Sequence, residues 1–135
     1  MKDKVLIDSS AWIVSFKKTG NERLKQMIVE VLNTFSAVTT NIIILELLQG
    51  CRNRGEFENL YSRLSALEVL PVNDEVWQIA YHVGYEMRKK GVTIPTVDIT
   101  IASVAKAHGC LLLHHDRHFK VVARHLKIAT IDFLD

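Results

Sequence analysis

Short aliphatic runs alternate along this chain with longer stretches whose apolar side chains recur every three or four positions. That alternation is its strongest fold constraint. Lys4–Ile7 reads as a first strand, an apolar run suited to burial on both faces of a parallel sheet. Ser9 or Ser10 is expected to cap a short helix through Ala11–Phe16. Glu22–Asn33 is helical, with Leu24, Met27, Ile28, Val31 and Leu32 on one stripe. Ala37–Thr39 is a second strand, and Thr40 or Asn41 caps a helix over Ile42–Arg52. Glu56–Leu67 is a further helix and Glu68–Val72 a third strand. Asp74 is expected to cap a long amphipathic helix to about Lys90, closed by Gly91. Asp98 opens the helix Ile99–His108, ended by Gly109, before a fourth strand at Cys110–His114. A short helix at Phe119–Arg124 and a fifth strand at Ile128–Ile131 complete the pattern. Strands separated by helices require crossover connections, so the fold class is α/β with a mostly parallel sheet covered on both faces. Ligands of such sheets bind beyond the carboxyl ends of the strands, near the point where strand order reverses.

With 135 residues the chain suits one domain over 1–135 and needs no disulfide to stabilise it. Val5-Leu6-Ile7 is too short for the apolar part of a signal peptide, and Asp8 interrupts it. The longest apolar stretch, Ile42–Leu48, contains Glu46 and falls far short of the roughly 20 residues that span a bilayer. A cytoplasmic protein without a membrane segment is expected. Cys51 and Cys110 have neither CxxC spacing nor a histidine partner pattern, and read as two reduced, buried thiols. A net charge of +2 permits a nucleic-acid partner without arguing for one.

Four acids fall where the fold class directs attention. Asp8 follows the first strand, Glu46 lies about one turn into the helix after the second, Asp98 stands at a helix N-terminus, and Asp116 follows the fourth strand. Each has an ordinary explanation, since Asp is a strong capping and turn residue. Glu46 resists it most, because an acid inside Ile42–Leu48 is costly if buried without a partner. Two like charges about 4 Å apart repel by about 4 kcal/mol at an effective dielectric near 20. Converging carboxylates therefore call for a cation. All-oxygen ligation suits Mg²⁺ or Mn²⁺, and the natural chemistry is metal-assisted phosphodiester hydrolysis.

Four segments, in order, carry a family resemblance. Leu6-Ile7-Asp8-Ser9-Ser10-Ala11-Trp12-Ile13 resembles the opening signature of PIN-domain proteins, especially the VapC toxins of bacterial and archaeal toxin–antitoxin pairs. Ile44–Gly50, Val97–Ala105 and Leu113–Phe119 resemble that family's second-, third- and fourth-acid segments. The resemblance implies an α/β/α sandwich with a five-stranded sheet in the order 3-2-1-4-5. It also implies a divalent-metal endoribonuclease with Asp8, Glu46, Asp98 and Asp116 catalytic and Asp8, Asp98 and Asp116 on Mg²⁺ or Mn²⁺. The implied partners are RNA, a VapB-type antitoxin whose tail occupies the active-site groove, and a second copy packed through the early helices. Ser9, where relatives often have Thr, would orient a metal-bound water. Many relatives carry another acid two residues after the fourth, where this chain has His118. That departure argues against a second ion held wholly by protein.

His114, His115 and His118 raise a transition-metal alternative, but no second histidine cluster completes a tetrahedral set. Most helix-end cations here complement the macrodipole, whereas Arg117 and Lys120, beside the fourth acid, suit RNA phosphates. Trp12 reads as core or interface. The alternatives are an inactive PIN-like binding module, against which the four acids argue, and a receiver-like signalling domain. The latter needs paired acids after the first strand and a late lysine, where Ser9-Ser10 and Asp116 stand. A haloacid-dehalogenase-like phosphatase needs an Asp where Ser10 is.

Overall fold

A computed structural model describes residues 3–34 and 36–132. Five strands, β1 (Lys4–Ile7), β2 (Ser36–Thr39), β3 (Glu68–Val69), β4 (Leu111–His114) and β5 (Thr130–Asp132), form one sheet in the order β3-β2-β1-β4-β5. Every pairing is parallel. Val5, Leu6 and Ile7 of β1 are all fully buried although successive side chains point to opposite faces, so both faces of the sheet are covered. The register sets Leu6 beside both Val38 and Leu112, which brings the carboxyl ends of β1, β2 and β4 to one edge. Strand order reverses between β1 and β4, and the crevice expected of such a sheet opens there.

Seven helices connect the strands: α1 (Ser9–Phe16), α2 (Glu22–Thr34), α3 (Asn41–Gln49), α4 (Arg54–Leu64), α5 (Asp74–Lys89), α6 (Thr96–His108) and α7 (Arg117–Leu126). Amphipathic spacing decides which face each buries. In α2 the buried residues are Leu24, Ile28 and Val31; in α5 they are Val76, Ala80, Val83 and Met87. Gly91 and Gly109 take positive φ after α5 and α6, as the closing role expected of them requires. No helix among the described residues is long and apolar enough to cross a membrane.

The element ends differ from the sequence reading in ways that matter for the site. Asp8, not Ser9 or Ser10, caps α1 by accepting from the Ser10 N–H. Asn73 caps α5 through Val76 N–H, which leaves Asp74 inside the first turn. Asn53 likewise moves the start of α4 up to Arg54, and that helix stops at Leu64. Asp98 does not open its helix. Pro95 occupies the cap position with φ −55°, and Asp98 lies in the first turn of α6. The third strand is only two residues long. Leu70 N–H still reaches Thr39 O at 2.8 Å, but Pro71 has no N–H with which to extend the ladder. Cys110 is buried as expected, and burial pushes its thiol pKa up; Cys51, at the end of α3, is only half-buried.

Candidate active site

Asp8 leaves β1 with its N–H bonded to Leu113 O at 2.9 Å, so the sheet itself holds its backbone. Its Oδ2 accepts from both the N–H and the hydroxyl of Ser10. Its Oδ1 is buried with no hydrogen-bond partner among the described residues, and only 3% of the residue is exposed. Burial pushes the carboxyl from 3.8 up to about 6, the charges of Glu46 and Asp98 push the same way, and the Ser10 bonds oppose them. Ser10 also accepts from His115 N–H at 3.0 Å, so one hydroxyl joins the ends of β1 and β4. The sequence suggests Ser10 only as a helix cap, not as a bridge between strands. The signal for it was the hydroxyl pair directly after the first acid.

Glu46 projects from α3, where its Oε1 accepts from the Ser9 hydroxyl at 3.1 Å. Its pKa is raised by partial burial first, then by the charges of Asp98 and Asp116, against the lowering effect of Ser9. Asp98 is raised by burial and by Asp116, while His118 works in the opposite direction. Asp116 caps α7 by accepting from His118 N–H at 2.8 Å. Asp8 after β1, Glu46 in α3, Asp98 in α6 and Asp116 before α7 are therefore linked by charge: Asp8 with Glu46 and Asp98, Glu46 with Asp98 and Asp116, and Asp98 with Asp116. Repulsion of this kind is what an unneutralised cation site looks like.

His118 is the residue the sequence reading undervalued. Its Nδ1 stands 3.0 Å from Asp98 Oδ2 and 3.2 Å from Asp116 Oδ1. Asp98, Asp116 and His118 are the compact set of metal-ligand atoms among the described residues, all within 4.8 Å of one another. Of the expected triad, Asp98 and Asp116 stand together with an imidazole, whereas Asp8 lies outside this compact set, buried and within the field of Asp98. No cluster of three histidines forms. His114 is fully buried with its ring 5.4 Å from Phe119, and His115 Nε2 faces Asn21 Nδ2 at 3.3 Å. The residues fit a divalent ion on two counts: mutual repulsion among the acids, and a buried Asp8 oxygen left without a partner.

Arg117 and Lys120 are exposed on α7 directly after Asp116. On the Glu46 side a cavity of about 560 Å³ runs between α1, α3 and α4, lined by Ile13, Phe16, Leu47, Leu60, Arg52 and Arg63 among others. Trp12 lies buried behind it, stacked on half-exposed Phe16 with ring centroids 6.1 Å apart.

The PIN domain family profile matches residues 5–125. The chain belongs to the PIN-domain family. Ribonuclease VapC21 of Mycobacterium tuberculosis is 30% identical over 128 residues, covering 91% of this chain and 88% of that protein. Ribonuclease VapC11 of the same organism is 29% identical over 136 residues, covering 96% of this chain and 98% of its own length. Among solved structures, VapBC2 from Rickettsia felis bound to a promoter DNA fragment superposes with a TM-score of 0.80 at 16% identity, covering 96% of this chain and 98% of that one. That likeness speaks to the fold alone.

Proposed function

We propose that this PIN domain is a divalent-metal-dependent endoribonuclease, the toxin of a VapBC-type toxin–antitoxin pair acting in the cytoplasm. The observation that carries the reading is the set of four acids from separate parts of the chain, among which the pKa values of Asp8, Glu46 and Asp98 are raised by burial first and by neighbouring carboxylate charge second. The ribonuclease names of its relatives support it. Asp8, Asp98 and Asp116 would hold Mg²⁺ or Mn²⁺, which would supply an activated water and a positive charge for phosphodiester hydrolysis. Glu46, oriented by its hydrogen bond from Ser9, is suited to act as a proton acceptor. Ser9 keeps that carboxylate directed at the attacking water. Arg117 and Lys120 contact RNA phosphates at the mouth of the site. The apolar groove beside Glu46 receives the tail of a VapB-type antitoxin, and two copies pair through their early helices.

The test is cleavage of single-stranded RNA by the full chain with Mg²⁺ or Mn²⁺. The expected products carry 5′-phosphate and 3′-hydroxyl ends, and EDTA abolishes the reaction. Cyclic phosphate ends formed in EDTA would overturn the reading, since they require attack by the ribose 2′-hydroxyl under general acid–base catalysis.

A further inference from the structure

We propose that His118 is itself a metal ligand, and that its imidazole, beside the carboxylates of Asp98 and Asp116, makes the site favour Mn²⁺ over Mg²⁺. This rests on the metal-dependent reading above and deepens it. The capping of α7 sets the position. Asp116 accepts from the backbone N–H of His118, so the carboxylate and the imidazole two residues on share one end of the helix. Asp98 arrives from the first turn of α6 and completes the set. Donor atoms around a six-coordinate ion with bonds near 2.1 Å are about 3.0 Å apart along each edge. The imidazole nitrogen stands 3.0 and 3.2 Å from the two carboxylate oxygens.

A second observation lies outside this trio. Asp8 is buried with Oδ1 unpartnered, and it feels the charge of Asp98. A buried carboxylate oxygen without a donor among the described residues calls for a partner, and a cation is one that fits. The donor chemistry then selects the ion. Mg²⁺ is hard, keeps its waters and takes oxygen ligands, whereas imidazole nitrogen suits first-row transition ions. The His118 side chain is 45% exposed, so an ion reaches it without rearrangement of the core.

The experiment measures metal binding by the full chain without RNA, using calorimetry with Mn²⁺ and Mg²⁺ and pulsed electron paramagnetic resonance of bound Mn²⁺. The wild type should bind Mn²⁺ about tenfold or more tighter than Mg²⁺ and show nitrogen modulation from a coordinated imidazole. His118→Ala should lose that modulation and about tenfold of Mn²⁺ affinity while Mg²⁺ affinity changes little. His118→Asp should narrow the preference by restoring an oxygen ligand. If bound Mn²⁺ shows no nitrogen coupling, or if His118→Ala binds Mn²⁺ as well as the wild type, His118 only bridges the two acids and the proposal falls. RNA cleavage persisting in that case leaves the ribonuclease reading standing. Nitrogen-coordinated Mn²⁺ in a chain that cleaves no RNA does the reverse.

Discussion

The two edges of the sheet handle charge in opposite ways. At the edge where β1 and β4 begin, Lys4 pairs with Glu68 at 3.0 Å, and both side chains are about half exposed. Asp3, Lys4, Lys106 and Lys127 share a shallow cavity of about 330 Å³ there, with signs mixed and water at hand. At the edge where the same strands end, Asp8, Glu46, Asp98 and Asp116 gather under partial burial, with the His118 imidazole beside Asp98 and Asp116. The first edge contributes little to stability and costs little. The second stores repulsion that a fold selected for stability alone would have discarded, and this difference separates a solvated surface from a site awaiting a cation.

The contrast breaks most visibly in activity. Asp98→Asn and Asp8→Asn should each lower RNA cleavage on the order of 1,000-fold, the scale of losing a principal electrostatic group, while the chain stays folded. Initial rates on a labelled RNA with circular dichroism of the same samples check this. Near-normal cleavage by both variants would erase the distinction between the edges.

A middle-sized effect lies in the pH dependence of stability without metal. Asp8 has a folded pKa of about 6 against 3.8 ordinarily, so between those values the folded chain keeps a proton that the unfolded chain releases. Its contribution is full below pH 3.8 and is lost as pH rises through 6. Asp8→Asn carries the uncharged form at every pH. In chelator it should exceed the wild type by up to about 3 kcal/mol at pH 8 and converge with it near pH 4, as read by urea unfolding. A gap that does not change with pH would show that burial of Asp8 stores no charge repulsion.

The smallest effect belongs to the opposite edge. Lys4→Ala should cost at most about 1 kcal/mol, fading with added salt, and should leave cleavage unchanged. A loss of activity comparable with that of Asp98→Asn would mean that the two edges are coupled.

Much of this organisation was legible in the chain itself. The spacing of apolar residues encodes local periodicity, so strands and helices appear in the right order, Asp8 and Asp116 fall just beyond strands, and Glu46 falls in the helix after the second. Glu46 stood out because an acid inside Ile42–Leu48 contradicts its surroundings unless a partner waits for it. Helix starts were less legible, since Ser9, Ser10 and Asp8 are all competent caps and only backbone geometry chooses among them.

The amino-acid sequence by itself determined the α/β class, the parallel sheet and the acids at its carboxyl edge, because each follows from residues close together in the chain. The tertiary structure decided which side chains meet. Ser10 meets the backbone of His115 across 105 positions, Ser9 meets Glu46 across 37, and His118 meets Asp98 across 20. Hydrogen-bond geometry is satisfied only within a few tenths of an ångström, and no local pattern carries that precision between distant segments. Packing of α6 and α7 beside β4 supplies it, and so places an imidazole among the acids.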